Sequence, residues 1–466
     1  MNALLGLVVS AATFLLTFDG GEKTRDIEQR INVDPSQRIE IQGFPGSKIN
    51  FSSWDSNTIY VKLHLRIESS DRGYEERWIE SVRISERRTS SGVVLTFEEP
   101  DRRGSSSGGF WSKLFGSNYV SREISGEIIL PRSNPLKITM PYATVALDNM
   151  KGELEFKGES NTLTLFNCAA LKDIDNNYGK TTIENSGGNL RLNSESGTLT
   201  VRDFKGTLYT DIKYSKGTYN QVSGAVVVNS ESGTLKFDDI GDDLTVNANY
   251  SNIGVTNVNG FVDVRTESGT VRISKAKGVS ADGKYSKMEI FDISGESKKD
   301  IVLKNESGNI TLENAVGNVS ILDPYATIKL KKIRGNLDVT TESGNVTAED
   351  ITGNWNSHAP YSNITLRSLS AQTVAMTNSG GSVDVELKTV PSSMKIKNDY
   401  AGVKVIMPKG FAGNVTLEAT YASVESNLPI RVKSLGGGAY GAGTVGTGTG
   451  SIVIETESGN IRLFER

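Results

Sequence analysis

The chain contains 466 residues with a formal net charge of −4 at pH 7, and glycine (48 residues) far outnumbers proline (11 residues). The near balance of acidic and basic residues gives no sign of a nucleic-acid-binding surface, so no nucleic-acid partner is expected. One cysteine and two histidines exclude a disulfide framework and argue against a metal cluster. We therefore predict neither a metal nor a cofactor.

Residues 1–23 are predicted to be a secretory signal peptide or an N-terminal anchor. The segment from Met1 to Phe18 is apolar and uncharged, and Asp19 follows it directly. No lysine or arginine precedes the apolar stretch, no clear small-residue cleavage site follows it, and about 16 apolar residues are few for a membrane-spanning helix. Since no other stretch is apolar enough to cross a bilayer, the sequence predicts export without a further spanning segment.

Residues 24–140 alternate apolar and polar side chains over longer runs, such as Ile59 to Leu65 and Ile124 to Leu130. This alternation is typical of β-strands, and no short repeat relates these strands to one another. The open end of a stack of repeats exposes strand edges, so the terminal segments of such stacks differ from the repeats themselves. We therefore predict a β-rich N-terminal cap.

A glycine- and serine-rich loop within this cap carries Phe110, Trp111, Leu114 and Phe115. Its composition predicts an irregular segment, yet its large apolar side chains need a covering surface. One interpretation folds them over the first coil of the repeats as a lid. The other leaves them exposed as a patch for a partner, a glycan or a membrane surface.

From residue 141 onward the chain repeats a unit of about 18 residues. Within a unit, apolar residues occur two apart, as in Ile328 with Leu330 and Leu337 with Val339, and Gly335 separates the two pairs. Spacing by two is typical of strands with one buried face, and the glycine permits the bend between them. The units begin at Val145, Leu163, Thr181, Leu199, Gly217, Leu235, Ile253, Val271, Met288, Ile310, Ile328, Val346 and Ile364.

These repeats predict an all-β protein whose residues 141–466 form a right-handed parallel β-solenoid (β-helix) with about 18 residues per coil. Corners that read Glu-Ser-Gly alternate with corners that carry tyrosine. If one coil held about 36 residues, the glutamates would stack in a single column about 4.8 Å apart and repel one another. A coil of about 18 residues places a tyrosine corner between successive glutamates.

The tyrosine corners are the main candidate binding surface. Aromatic faces at every second coil, about 9.6 Å apart, can stack on a sugar polymer or on apolar side chains of a partner. The alternative interpretation is that each ring packs along its corner and shields the backbone. The candidate binding residues are Tyr142, Tyr178, Tyr214, Tyr250, Tyr285, Tyr325 and Tyr361, together with Phe110, Trp111 and Phe115 of the cap loop.

Strand-like pairs continue after Ile364 with looser spacing, and residues 436–450 are predicted to be a mobile glycine-rich loop. No pattern identifies a catalytic residue, because the corner glutamates recur in the same surroundings whereas catalytic carboxylates need different ones. In an enzyme, the cleft would lie where the period breaks, near Asp292 to Asp300 or near His358. Cys168 falls at an apolar place of the unit and is predicted to be buried and unreactive.

Three further features are the segment Phe51-Ser-Ser-Trp54-Asp55, the lead-in from Ile124 to Pro131, and the recurring Ser-Gly corners followed by Asn or Thr and an apolar residue. In these features the chain resembles the bacterial putative-adhesin family, which consists of secreted β-solenoid domains of unknown function. The likeness covers nearly everything after residue 30. It implies adhesion in general, without a defined ligand or catalytic residue, and a location in the periplasm, on the outer surface or outside the cell.

The sequence thus predicts a non-enzymatic, exported cell-envelope or secreted protein that offers a long surface for adhesion or scaffolding. A glycan or a cell-surface protein is the expected partner, and the oligomeric state is left open. The alternative function is a carbohydrate-active enzyme, either a polysaccharide lyase or a hydrolase, built on the same β-helix. An enzyme would lose turnover on a single substitution, whereas a repeated surface would lose affinity step by step.

Overall fold

The computed structural model of the protein describes residues 13–19, 22–45, 48–69, 72–100 and 120–466. The chain separates into two compact units, Met1–Ala225 and Val226–Arg466. Both units are built almost entirely of β-strands, and the described residues contain one α-helix. Phe110, Trp111 and Phe115 of the cap loop, and residues 1–12 of the predicted signal segment, lie outside the described residues.

The N-terminal region of the first unit is rich in β-strands, as predicted. Five of its strands form one sheet in the order β1-β2-β5-β8-β4, in which β5 pairs antiparallel with β2 and with β8. The elements of this region are β1 (Thr13–Asp19), β2 (Glu22–Asn32), β3 (Arg38–Gln42), β4 (Lys48–Trp54), β5 (Thr58–Ser69), α1 (Arg72–Ser81), β6 (Arg83–Arg88), β7 (Gly92–Glu98), β8 (Val120–Pro131) and β9 (Leu136–Thr139).

Helix α1 was not predicted from the sequence. It contacts β2 and β5, and its Trp78 and Ile79 are buried. Nη1 of Arg25, on β2, donates hydrogen bonds to the carbonyl oxygens of Ile79 at 2.7 Å and Val82 at 3.1 Å, just where the helix ends. These carbonyls have no partner within the helix, so tertiary contacts stabilise a segment that is short for an independent helix.

The solenoid of the first unit consists of parallel coils. Val145 pairs with Leu163, Leu163 with Thr181, and Thr181 with Leu199, so each coil takes 18 residues. The stack begins before the predicted boundary at residue 141, because β9 pairs in parallel with both β3 and β11. The strands are β10 (Thr144–Asp148), β11 (Glu153–Glu159), β12 (Thr162–Phe166), β13 (Ala170–Asn177), β14 (Lys180–Glu184), β15 (Gly187–Glu195), β16 (Thr198–Lys213) and β17 (Ser215–Val222).

The second unit is also a stack of parallel coils. Its first part contains β18 (Val226–Ile240), β19 (Leu244–Ile293), β20 (Ile301–Lys304), β21 (Ile310–Val316), β22 (Val319–Leu322), β23 (Tyr325–Arg334), β24 (Leu337–Thr340), β25 (Ser343–Thr352), β26 (Trp355–His358), β27 (Tyr361–Leu369) and β28 (Thr373–Asn378). Its second part contains β29 (Val383–Leu387), β30 (Ser393–Asn398), β31 (Val403–Met407), β32 (Gly413–Ala419), β33 (Val424–Ser426), β34 (Arg431–Leu435), β35 (Gly438–Val445), β36 (Gly450–Thr456) and β37 (Ile461–Glu465).

The register of the second unit confirms the predicted coil. Ile310 pairs with Ile328 and Ile328 with Val346, and all three side chains are buried in one interior column. On the next side of the coil, Leu337 lies between Val319 and Trp355. The predicted β-solenoid with about 18 residues per coil is therefore confirmed, while its right-handedness stays a prediction.

Gly335 shows why glycine recurs in the repeat. Its φ is +155°, and a Cβ added to it would lie 2.0 Å from the carbonyl oxygen of Gly317 in the preceding coil. Gly353 stands in the same relation to Gly335, again at 2.0 Å. A side chain in this column would push neighbouring coils apart, because backbone atoms already occupy the space.

The last coil in sequence is not the last coil of the stack. Strand β36 pairs in parallel with β30 on one side and with β32 on the other, so the C-terminal coil lies between two coils that precede it in sequence. Strand β32 pairs antiparallel with β35, and β35 pairs antiparallel with β34. The hairpin of β34 and β35 therefore covers a strand edge that would otherwise be open to another chain.

The prediction of a mobile loop over residues 436–450 is wrong for Gly438–Val445, which forms β35. This segment is a strand because β32 and β34 hydrogen-bond to its two edges. The missing side chains also leave space for neighbours, since a Cβ on Gly441 would meet Ile430, Val424 and Val432 at 3.4 Å. Pairing on both sides thus overrides the low strand propensity of glycine.

Candidate functional site

The tyrosines of the candidate surface point into solvent in both units. In the first unit, Tyr142, Tyr178 and Tyr214 are between 56% and 66% exposed, and each has a positive φ. In the second unit, Tyr400 and Tyr421 are exposed as well, although they were not among the predicted residues. We define the tyrosine edge as the exposed corner tyrosines of the second unit, Tyr250, Tyr285, Tyr325, Tyr361, Tyr400 and Tyr421.

Serine-bearing corners separate the tyrosines of this edge. Tyr325 lies between Ser307 and Ser343, and Ser343 pairs in turn with Tyr361. Farther along, the backbone nitrogen of Tyr400 donates a hydrogen bond of 2.7 Å to the carbonyl oxygen of Ser379. The predicted alternation of corners is therefore present, and Tyr325 and Tyr361 lie two strand spacings apart, about 9.6 Å.

Glutamates of the intervening corners bind tyrosine hydroxyls. The hydroxyl of Tyr325 donates a hydrogen bond of 3.0 Å to Oε2 of Glu342, and this bond raises the pKa of Tyr325 because the carboxylate disfavours a neighbouring negative charge. The hydrogen bond from Tyr250, and then the ion pair with Lys284 at 3.3 Å, lower the pKa of Glu267. These contacts orient the tyrosine side chains and leave their ring faces in solvent.

Behind the tyrosines, the inner side of the corners is lined by buried polar residues that the sequence analysis missed. Nδ2 of Asn305 donates a hydrogen bond of 3.1 Å to Oδ2 of Asp323 in the next coil. Asp323 is fully buried, and burial raises its pKa to about 6. A signal was present in the sequence, since Asn176, Asp323 and Asn398 each stand two residues before a corner tyrosine.

Cys168 is buried, as predicted. Its Sγ lies 3.8 Å from the carbonyl oxygen of Leu147, to which it donates a weak hydrogen bond. Burial raises the pKa of the thiol to about 11, because the thiolate would lose its hydration. This residue therefore belongs to the core and not to a reactive site.

The positions considered for a catalytic cleft are His358 and the coil that contains Asp292 to Asp300. His358 is exposed at the end of β26, and its side chain has no hydrogen-bond or ion-pair partner among the described residues. The coil from Met288 to Ile310 is longer than the coil that follows it, and its additional residues form a turn in which Lys298 N donates to Gly295 O at 3.1 Å.

Beside this turn lies a groove of about 360 Å³, in which Asp350 is the only carboxylate among the lining residues. Glycoside hydrolases use a pair of carboxylates, so the groove does not have their usual arrangement. Among the described residues, no three His, Cys, Asp or Glu side chains lie close enough together to hold a metal ion.

Residues 262–463 match the family model described as Toastrack, DUF4097. This segment, called the Toastrack segment below, is similar to that family and makes up less than half of the chain. The predicted resemblance to a β-solenoid family of unknown function is thereby confirmed. Tyr285 to Tyr421 of the tyrosine edge and the groove beside the long coil both lie within the Toastrack segment.

No curated protein matches the chain. A solved structure that resembles it is a protein of Clostridium sporogenes described as a putative cell adhesion protein. The two chains are 11% identical, the alignment covers 94% of this chain and 99% of the other, and the TM-score is 0.16. In the part of the chain that the structure describes, no helix combines the length and the apolar character needed to span a membrane.

Proposed function

We propose that this chain is a non-enzymatic, exported protein of the cell envelope or the extracellular space, and that it binds an extended partner through its tyrosine edge. The observation that carries the proposal is the regular exposure of aromatic rings in the Toastrack segment. Tyr285, Tyr325 and Tyr361 are between 61% and 69% exposed. Tyrosine is enriched among the residues that dominate binding energies, because its ring is large, rigid and amphipathic.

Regular spacing favours a repeating partner. A single exposed tyrosine contributes little affinity, but rings held on one rigid stack act on the same ligand at high effective concentration. Beside Tyr325, the carboxylate of Glu342 offers hydrogen-bond acceptors next to an apolar ring face. This combination suits a sugar polymer, which presents apolar faces and hydroxyls in alternation. A glycan is therefore the first partner to test, and a cell-surface protein is the second.

The test is a cumulative series of substitutions in the tyrosine edge: Tyr325→Ser, then with Tyr361→Ser, then with Tyr285→Ser. Binding of each purified variant is measured on a glycan array and on immobilised bacterial and host surface proteins. We expect the affinity to fall with each added substitution while the melting temperature stays near the wild-type value, because the rings are exposed. Tyr440→Ser is the matched control, since Tyr440 is 37% exposed on β35 and lies outside the tyrosine edge.

Two outcomes contradict the proposal. In the first, the triple variant binds every partner as tightly as the wild type, or loses no more affinity than Tyr440→Ser. In the second, a reducing-sugar assay run in parallel shows turnover of a bound polysaccharide, and one substitution abolishes the turnover. That second result would establish the carbohydrate-active enzyme in place of the binding surface.

A further inference from the structure

A polar groove crosses consecutive corners of the second unit, at a different corner of the coils from the tyrosine edge. Its volume is about 360 Å³. Two rows of residues form the floor of the groove. The first row consists of residues that pair with one another in successive coils, Val316, Arg334, Thr352 and Ser370. A second row consists of Asn314, Lys332, Asp350 and Ser368, which all have a positive φ between 53° and 58°.

Longer coils bound this floor at both ends. At one end, the turn of the long coil lies against Val316, since a Cβ on Gly295 would be 2.5 Å from the Val316 carbonyl oxygen. At the other end, Lys388 begins the connection from β29 to β30, in a coil that runs 20 residues from Val383 to Val403. The floor between Val316 and Lys388 spans four strand spacings, about 19 Å.

The charges in the groove are predominantly positive and unpaired. Lys332, Arg334 and Lys388 contribute three cations, and none has a hydrogen-bond or ion-pair partner for its side chain among the described residues. Cations just outside the groove are paired: Lys331 contacts Glu349 at 3.2 Å, and Arg367 lies 2.8 Å from an oxygen of Asp384. The three unpaired cations give the groove a positive charge, although the formal net charge of the whole chain is −4.

We propose that this groove binds an acidic polysaccharide, whose carboxylate or sulfate groups pair with Lys332, Arg334 and Lys388. Guanidinium and ammonium groups recognise such anions through charge-assisted hydrogen bonds. The remaining floor offers hydroxyl, amide and carboxylate groups, from Thr352 and Asp350 among others, which match the hydroxyls of a sugar chain.

Two other polyanionic or extended partners fit the groove less well. A single-stranded nucleic acid would require aromatic side chains for base stacking, and the lining residues include no aromatic ring. A protein partner would require a buried apolar anchor, and Val316 is the only exposed apolar side chain in the lining. The groove therefore favours recognition by charge and hydroxyl hydrogen bonds.

The experiment compares a groove variant with a control variant of equal charge change. The groove variant carries Lys332→Gln, Arg334→Gln and Lys388→Gln. The control carries Lys236→Gln, Lys304→Gln and Lys404→Gln, which replace exposed lysines of the same unit outside the groove. Binding of the full chain to heparin, as a sulfated polymer, and to polygalacturonate, as a carboxylated polymer, is measured by biolayer interferometry over a range of salt concentrations. Dextran is the neutral control polymer, and a single-stranded oligonucleotide is the second polyanion.

We expect the wild type to bind at least one acidic polysaccharide and not dextran, with an affinity that falls as salt rises. The groove variant should lose about tenfold or more in affinity, and the control variant about twofold or less. Whichever of heparin and polygalacturonate binds more tightly identifies the sulfate or the carboxylate as the recognised group. If the triple variant folds poorly, the three single variants are compared with the wild type instead. Each should lose part of the affinity for the acidic polysaccharide.

Three results would overturn the proposal: no binding to either acidic polysaccharide at low salt, equal losses in the groove and control variants, or tighter binding to the oligonucleotide than to both polysaccharides. The groove and the tyrosine edge use different residues, so either site can fail its test while the other passes. Serine substitutions in the tyrosine edge remove no charge, and they should leave the salt dependence of polysaccharide binding at the groove unchanged.

Discussion

Asn305 and Asp323 meet on the inner side of consecutive corners, where Nδ2 of the asparagine donates a hydrogen bond of 3.1 Å to Oδ2 of the aspartate. The other carboxylate oxygen accepts a hydrogen bond of 3.3 Å from the backbone nitrogen of Tyr325. Both side chains are buried, and Asp323 has no cation as an ion-pair partner among the described residues. Burial dominates over the two hydrogen bonds and raises the pKa of this carboxyl to about 6.

The raised pKa of Asp323 makes stability depend on pH. In the unfolded chain the carboxyl loses its proton near its ordinary value of 3.8, whereas in the folded chain it keeps the proton until about 6. The folded state therefore binds more protons between these values, and the free energy of unfolding decreases as pH rises through that window. We expect Asp323→Asn to remove this decrease, because an amide has no proton to lose between these pH values.

Chemical denaturation at a series of pH values from 4 to 7 (~1-unit steps) measures this effect. Asp173→Asn is the control, since it replaces an exposed carboxyl with an amide in the same way. If the wild type and Asp323→Asn lose stability in parallel across the window, Asp323 does not titrate as the structure indicates.

Ile333→Asp tests the interior column. Ile333 is fully buried between Ala315 and Ile351 of the adjacent coils, and a carboxylate there would have no partner for its charge. We expect a loss of roughly 3 to 5 kcal/mol in the free energy of unfolding, measured by urea denaturation. Lys329→Asp, at an exposed position of the same strand, should cost far less. Equal stability of the two variants would show that Ile333 is not in the core.

Gly335→Ala tests the close approach of neighbouring coils. The added Cβ would lie 2.0 Å from a backbone oxygen, at a φ that L-residues rarely adopt, so we expect a destabilisation of roughly 2 kcal/mol or more. Gly254→Ala is the matched control, because the nearest atom to its added Cβ is 3.9 Å away. Thermal melting of both variants distinguishes them, and an unchanged melting temperature for Gly335→Ala would contradict the stacked glycine column.

Cys168 should be inert in the folded protein. Because burial raises the pKa of its thiol to about 11, the reactive thiolate is scarce at pH 8 and also inaccessible. We expect a thiol-specific chromogenic reagent to modify it slowly in buffer and rapidly in denaturant. Rapid stoichiometric modification without denaturant would mean that the thiol is exposed.

Several tertiary features had no local sign in the sequence. Strand β35 has too much glycine for a strand by composition, and it forms because β32 and β34 pair with its two edges. Strand β36 lies between β30 and β32, so the order of the last coils in the stack differs from their order in the sequence. Pairing depends on which strand edge is free. Helix α1 was missed because contacts with β2 and β5 stabilise it.

The two candidate surfaces also combine features that the sequence predicts with features that only the structure shows. The tyrosine corners could be read from the chain, because a fixed period places equivalent residues at equivalent corners. Their exposure and the hydrogen bond between Tyr325 and Glu342 required coordinates. The row from Arg334 to Lys388 follows the same period, but the longer coils that bound it as a groove, and the lack of partners for its cations, required coordinates.

By itself, the sequence determined the coil of about 18 residues, the buried face of each strand and the glycine bend, because alternation and period are local properties of the chain. Tertiary structure decided the coil order near the C-terminus, the burial of Asp323 and the turn of the long coil that bounds the groove. These three features depend on how distant segments pack. Only the stacked coils decide which strand edges remain free and which side chains lose their contact with water.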